Sequence, residues 1–225
     1  MPSFGLSELL IQASKDDQVK FDEQLEQLCQ TLLKTGLTFE TEWKCSINIF
    51  DKSQAVGFPD KNEEIRQIFT LDDTYYPSLV HSVSVLASKS YQTSTCKTGM
   101  VEFLKNSSFY EWKKQKIDIS GHIFRQGDIR VKVGILSVNY PKLVVIQVLY
   151  TPGIYLREGN FEVRNTQIDE LIRYTLRIPQ EEIDSKRLKR DLSHLQQRNA
   201  KNVAITFEEF QCIQIVEAIR MGQEA

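Results

Sequence analysis

At 225 residues, with 41% hydrophobic and 26% charged residues and a formal net charge of -2, the chain has the composition of a globular protein and the length of one large domain or two small ones. The apolar content excludes global disorder, and the near-neutral charge argues against holding nucleic acid through bulk electrostatics. The longest apolar runs, such as "LVVIQVLY" at 143–150, fall well short of the roughly 20 residues a membrane-spanning helix needs, and "MPSFGLSELLIQASKDD" lacks the basic lead and long apolar region of a secretory signal, so a soluble protein of a reducing compartment is expected.

The first periodic segment runs from Gln18 to Lys34. Phe21, Leu25, Leu28, Cys29, Leu32 and Leu33 recur at helical spacing and Gly36 follows as a stop, which predicts an amphipathic helix with a core-facing stripe. "FETEWKCSINIF" at 39–50 then alternates strictly. Phe39, Thr41, Trp43, Cys45, Ile47 and Ile49 fall on one face of a strand, and Glu40, Glu42, Lys44, Ser46 and Asn48 on the other. A loop is expected over 51–62, followed by strands at 64–71 and 79–88 and a short helix at 98–106 whose apolar positions are Met100, Val101, Phe103 and Leu104.

Residues 109–119 return to extended character, and "GHIFRQGDIRVKVGILSV" at 121–138 is the clearest hairpin, turning at Gln126, Gly127 and Asp128. Gly134 within its second arm predicts a bulge or a close backbone approach. After a turn at 139–142, "LVVIQVLYT" is apolar on both faces and should be covered on both. Thr166 and Asp169 have capping-box spacing ahead of Ile168, Leu171, Ile172 and Leu176, a second helix that Pro179 ends. The basic, polar stretch beyond about residue 185 reads as a linker or a mobile helix. Thr206 and Glu209 repeat the capping-box spacing before Phe207, Phe210, Ile213, Val216 and Ile219, a third helix. This order, without βαβ alternation, predicts an α+β protein with a curved or closed antiparallel sheet.

Chemistry has one candidate. On a strand, Glu40, Glu42 and Lys44 would stand on one face about 7 Å apart, a spacing at which two glutamates can hold a divalent cation while a lysine meets a phosphate. Such a site also needs further acids and bases on other strands. "LVVIQVLY" supplies no carboxylate, Glu158 and Glu162 lie in irregular sequence, and Arg130 and Lys132 are equally well explained as a solvated strand face. The plain polar side of a strand is therefore the expectation for Glu40 and Glu42, and no catalytic, cofactor-binding or metal residue is assigned. No P-loop, GxSxG, HExxH or dinucleotide fingerprint is present. Cys29, Cys45, Cys96 and Cys212 have no metal or redox spacing, and His81, His122 and His194 are scattered.

Taken in order, "ELLIQASKDDQVKFDEQLEQLCQTLL", "KTGMVEFLKNSSFYEWKKQKIDISGHIFRQGDIRVKVGIL", the apolar strand at 143–150 and "IDELIRYTLRIPQEEIDSKRL" resemble the Mediator complex subunit 18 family. The closest local match is the hairpin, at Gly121, Ile123, Phe124, Arg125 and Gly127; "IRVKVG" is also similar to Mediator complex subunit 20. The resemblance spans residues 8 to about 188. It implies an antiparallel β-barrel related to the tunnel RNA triphosphatase fold, with packing helices and without catalytic activity. It further implies a nuclear protein of the Mediator head module that pairs with subunit 20, is tethered by a C-terminal segment of subunit 8 and meets other head subunits and RNA polymerase II. On this reading residues 1–188 are one barrel domain and 189–225 a linker with a C-terminal helical extension beyond the family's usual end. The hairpin at 121–138, the strand at 143–150 and the helix at 165–178 are the expected interface material. The rival expectation is a metal-dependent RNA triphosphatase or polyphosphate hydrolase using Glu40 and Glu42.

Overall fold

The structure, a computed structural model, describes residues 6–13, 18–53, 64–88, 90–97, 99–138, 142–150 and 207–224, together with Glu170 and Arg173. Strands β1 (Leu6–Ala13), β2 (Thr38–Lys52), β3 (Ile65–Asp73), β4 (Leu79–Leu86), β5 (Tyr91–Lys97), β6 (Tyr110–Gln126), β7 (Ile129–Val138) and β8 (Lys142–Tyr150) join with helices α1 (Gln18–Lys34), α2 (Met100–Lys105) and α3 (Phe207–Glu224). The eight strands form one antiparallel sheet in the order β1-β8-β7-β6-β2-β3-β4-β5, so the expected antiparallel α+β class is the one observed. β1 and β5 were not anticipated. "LSELLIQA" and "YQTSTCK" lack the alternation that marks a strand, and each is placed by a partner, β8 and β4 respectively. The predicted helix at 165–178 and the linker beyond 185 lie outside the described residues, apart from Glu170 and Arg173.

The chain divides into two compact units, with β2, β6 and, through its last two residues, β7 contributing to both. In the first, α1 lays its stripe on the sheet. Phe21 and Leu32 are buried with Phe124 of β6, Val131, Val133 and Ile135 of β7, and Val144, Ile146 and Val148 of β8. Leu33, counted with the stripe from sequence, is instead exposed. The helix stops as expected. Gly36 takes φ 93°, the Gly36 N–H donates to the Leu33 carbonyl at 3.1 Å, and the Leu37 N–H donates to that of Leu32 at 3.2 Å. This is a Schellman closure, in which the left-handed glycine lets two orphan carbonyls find donors while Leu37 drops into the core beside Leu32.

β8 is buried from Leu143 through Leu149, which explains why its sequence is apolar on both faces. Its side chains are therefore not available as the interface expected from sequence. The hairpin closes through the two-residue turn Gly127–Asp128, and Gly127 has φ 59°. Behind it Gly121 and Gly134 face each other. A Cβ on Gly121 would lie 1.9 Å from the Val133 carbonyl oxygen, and one on Gly134 would lie 2.9 Å from that of Ser120 and 3.2 Å from the Trp43 ring. The close approach predicted at Gly134 is thus real, and it seats the indole against bare backbone.

In the second unit α2 packs on β2 and β3 through Leu104, Phe50 and Ile68. Of the apolar positions predicted for this helix only Leu104 is buried, and Phe103 is 69% exposed. On β4 and β5 lies α3, buried from Phe210 through Ile219, so the third helix predicted from Thr206 and Glu209 is a core element of this unit. Between β3 and β4 the register shifts: Ile65 pairs with Leu86 and Gln67 with Val85, leaving Arg66 as the extra residue of a β-bulge.

Candidate functional site

The alternation read from "FETEWKCSINIF" does not hold throughout. Leu37 belongs to the core under α1, and the Phe39 ring meets Phe124 of that core edge-on at 6.1 Å. Trp43 sits instead against Gly134 and beneath the Lys132 ammonium, 5.3 Å from the ring centroid. Lys132 and Gly134 alternate along β7 with Val131, Val133 and Ile135, which face α1. Trp43 is therefore on the opposite face of the sheet from Phe39, although both are odd-numbered, and the period of two slips between them. Residues 38–42 are all exposed, and regular alternation of buried and exposed positions begins only at Trp43.

This slip separates the three charged candidates. Glu40, next to Phe39, lies on the face turned away from α1, where its carboxylate accepts from Arg130 Nε at 2.9 and 3.3 Å and has Arg125 at 3.9 Å. Lys44, next to the buried Trp43, is on the other face, exposed, with its backbone N–H donating to Thr74 Oγ1 at 3.1 Å. Glu42 is exposed. The expected single polar face of Glu40, Glu42 and Lys44 is thus corrected: the glutamate and the lysine are split between faces, and Glu40 is engaged by two arginines. Arg130 and Lys132 are not an open basic pair either. Arg130 is committed to Glu40, and Lys132 is 1% exposed against Trp43. Trp43, Ile123, Leu136, Val145 and Leu149 fill the rest of that face, all fully or nearly fully buried.

Among the described residues no group of three or more His, Cys, Asp or Glu side chains is placed to hold a metal ion. The four cysteines are free thiols. Burial raises the Cys29 thiol to about 11, reinforced by the charge of Glu26, against a lowering backbone hydrogen bond. His122 stacks edge-on with Phe39 at 5.8 Å, as a residue of the hairpin face. His194 lies outside the described residues.

What the sequence did not disclose is the polar seam where α3 meets β4, β5 and the turn before β4. Gln211 Nε2 donates to the Tyr76 hydroxyl at 3.3 Å, Arg220 Nη1 donates to the Tyr91 hydroxyl at 3.1 Å, and Glu217 is buried beside Tyr91. Buried His81 adds an edge-on contact with Tyr76 at 5.5 Å and a hydrogen bond between Nδ1 and Thr95 Oγ1 at 3.2 Å. Burial raises both tyrosine hydroxyls above their ordinary range; at Tyr76 the Gln211 hydrogen bond opposes it, and at Tyr91 the charge of Glu217 reinforces it. The spacing of Gln211, Gln214 and Glu217 by threes was a signal available in the sequence, hidden within an otherwise apolar helix.

No family model matches the chain, and no curated protein matches it. Among solved structures it is similar to a chain of the Schizosaccharomyces pombe Mediator head module, with 11% identity, 76% of this chain and 94% of that chain covered and a TM-score of 0.46. It is similar also to a conserved hypothetical protein of Pyrococcus furiosus, with 11% identity, coverage of 80% and 94% and a TM-score of 0.44. A third is a Hippeastrum protein named for adenylyl cyclase and for a dominant triphosphatase activity, with 8% identity, coverage of 76% and 88% and a TM-score of 0.46.

Proposed function

We propose that the chain is a non-catalytic scaffold subunit of the Mediator head module, acting in the nucleus in RNA polymerase II transcription. The segment-by-segment sequence resemblance to subunit 18 supports the assignment. The observation that carries the binding role is the exposure of Phe103, Phe109 and Trp112, at 69%, 54% and 38%, within residues 103–112. Large aromatic side chains left in water in one short segment mark surface that a partner covers, and tryptophan is among the residues that anchor interfaces. Lys105 sits 4.3 Å from the Trp112 ring centroid and places a cation over that exposed ring. The partners on this reading are the related barrel of subunit 20 and the C-terminal segment of subunit 8, and the aromatic patch replaces β8 as the expected interface.

The second reading, a metal-dependent triphosphatase, needs carboxylates free to take a cation with a lysine beside them. Glu40 bound to Arg130, with Lys44 on the opposite face, argues against it. Co-expression with subunits 20 and 8 of the same source, followed by size-exclusion chromatography, tests the assignment. A stoichiometric complex that Trp112→Glu with Phe103→Glu abolishes, without loss of fold, is expected. A free monomer that releases phosphate from triphosphate-ended RNA with magnesium or manganese, and stops doing so as the Glu40→Ala, Glu42→Ala variant, overturns it.

A further inference from the structure

The second unit holds a cleft of about 380 Å³ whose walls come from five elements: Asp51 and Lys52 of β2, Arg66 and Gln67 of β3, Val85 of β4, Lys113 of β6 and Arg220 of α3. Four cationic side chains thus converge in a chain whose net charge is -2. Among the described residues, two of them are paired with carboxylates. Asp51 takes Lys113 at 2.7 Å and the Gln67 side-chain amide at 2.8 Å, and Glu64 takes Lys52. Arg220 is positioned by its hydrogen bond to Tyr91. Arg66 makes no ion pair or hydrogen bond among the described residues.

Arg66 is also the bulge residue of β3. A bulge costs a ladder pairing and turns a side chain out of the regular alternation, a device that strands use to re-aim a functional group. Here it adds a fourth cation where three already stand. The volume is that of a small-molecule pocket, and the planar forks of Arg66 and Arg220 suit the paired oxygens of a phosphate.

We propose that this cleft is a binding site for a phosphate group carried by a small molecule or by a phosphorylated side chain. Asp51 and Glu64 hold Lys113 and Lys52 in place, and Arg66 is the group the ligand recruits. The site is built from the second unit alone and stands apart from the Mediator assignment.

Titration of the isotopically labelled full chain with inorganic phosphate, pyrophosphate and a phosphoserine peptide, followed by amide NMR, tests it. Saturable shifts clustered at residues 51–53, 66–67 and 113 are expected, with affinity falling as salt rises. Arg66→Gln, a change at an exposed position, should retain the fold and weaken binding on the order of tenfold, as loss of one charge-assisted pair does. Preference for pyrophosphate over the peptide assigns a free small molecule, and the reverse preference a partner's modified side chain. Absence of saturable shifts, unchanged affinity in the Arg66→Gln variant, or equal binding of the unphosphorylated peptide overturns the proposal.

Discussion

At the scale of single residues, Gly121 and Gly134 set how closely the arms of the hairpin approach. Their requirement is space. The atoms that a Gly121 Cβ would meet are the Val133 carbonyl and the Gly134 Cα, which belong to backbone and cannot swing aside. Gly127, in contrast, has open space around it and needs only its positive φ. Gly121→Ala should therefore separate β6 from β7 and cost about 1–3 kcal/mol, the range for overpacking a filled site. Gly127→Asn, which tolerates the left-handed region, should cost less than 1 kcal/mol or so. Urea midpoints of the two variants check the ordering, and a Gly121→Ala midpoint equal to that of the parent would refute it. At this scale the sequence was only half legible. "IRVKVG" flagged Gly134 because a glycine inside a strand has few other reasons to be there. Nothing flagged the slip in β2, since Thr41 and Glu42 continue the apolar and polar alternation while the backbone does not.

At the scale of elements, the local signals were reliable where one element carries its own pattern. α1 shows its stripe and its glycine stop, and the β6–β7 hairpin shows its turn. β5 shows little, being polar and held by β4 along its whole length from Tyr91 to Lys97. The seam of α3 was illegible for another reason: Tyr76 and Tyr91 are far from Gln211 and Glu217 in sequence, and only the fold brings them together. That seam has a pH dependence whose sign is fixed. Burial raises the hydroxyls of Tyr76 and Tyr91 in the folded protein above the value of about 10 they have when unfolded. Below pH 10 neither state ionises and these groups contribute no slope. Above it the unfolded chain loses protons first, so stability falls as pH rises toward the folded-state values. Tyr76→Phe should lose about 1 kcal/mol at neutral pH with the Gln211 hydrogen bond. It should also flatten part of the alkaline decline. Chemical denaturation between pH 8 and 11 measures both, and an unaltered alkaline slope in the variant would count against a buried Tyr76 hydroxyl.

At the scale of the molecule, the placements that complete each unit are the ones separated most in sequence. β1 pairs with β8, Leu6 opposite Tyr150, and α3 reaches back to β4 and β5. No local pattern encodes such pairings, which is why the composition and strand count pointed to an antiparallel α+β protein while the roles of both chain ends stayed open. For α3 the consequence is quantitative. Phe210, Ile213, Val216 and Ile219 are each 3% exposed or less. Burying four such side chains contributes on the order of 6–12 kcal/mol, comparable with the roughly 5–15 kcal/mol that separates a whole native domain from its unfolded state. A chain ended at residue 188 should therefore fail to unfold cooperatively and should expose the surface of β4 and Tyr91 of β5 that α3 covers, whereas a freely attached interaction helix would be dispensable. Val216→Asp in the full chain isolates the same packing, because an uncompensated buried carboxylate costs several kcal/mol without removing any segment. Calorimetry of both forms decides: a truncated chain that keeps the parental transition, together with a Val216→Asp variant of unchanged melting temperature, would make α3 an appendage and not part of the core.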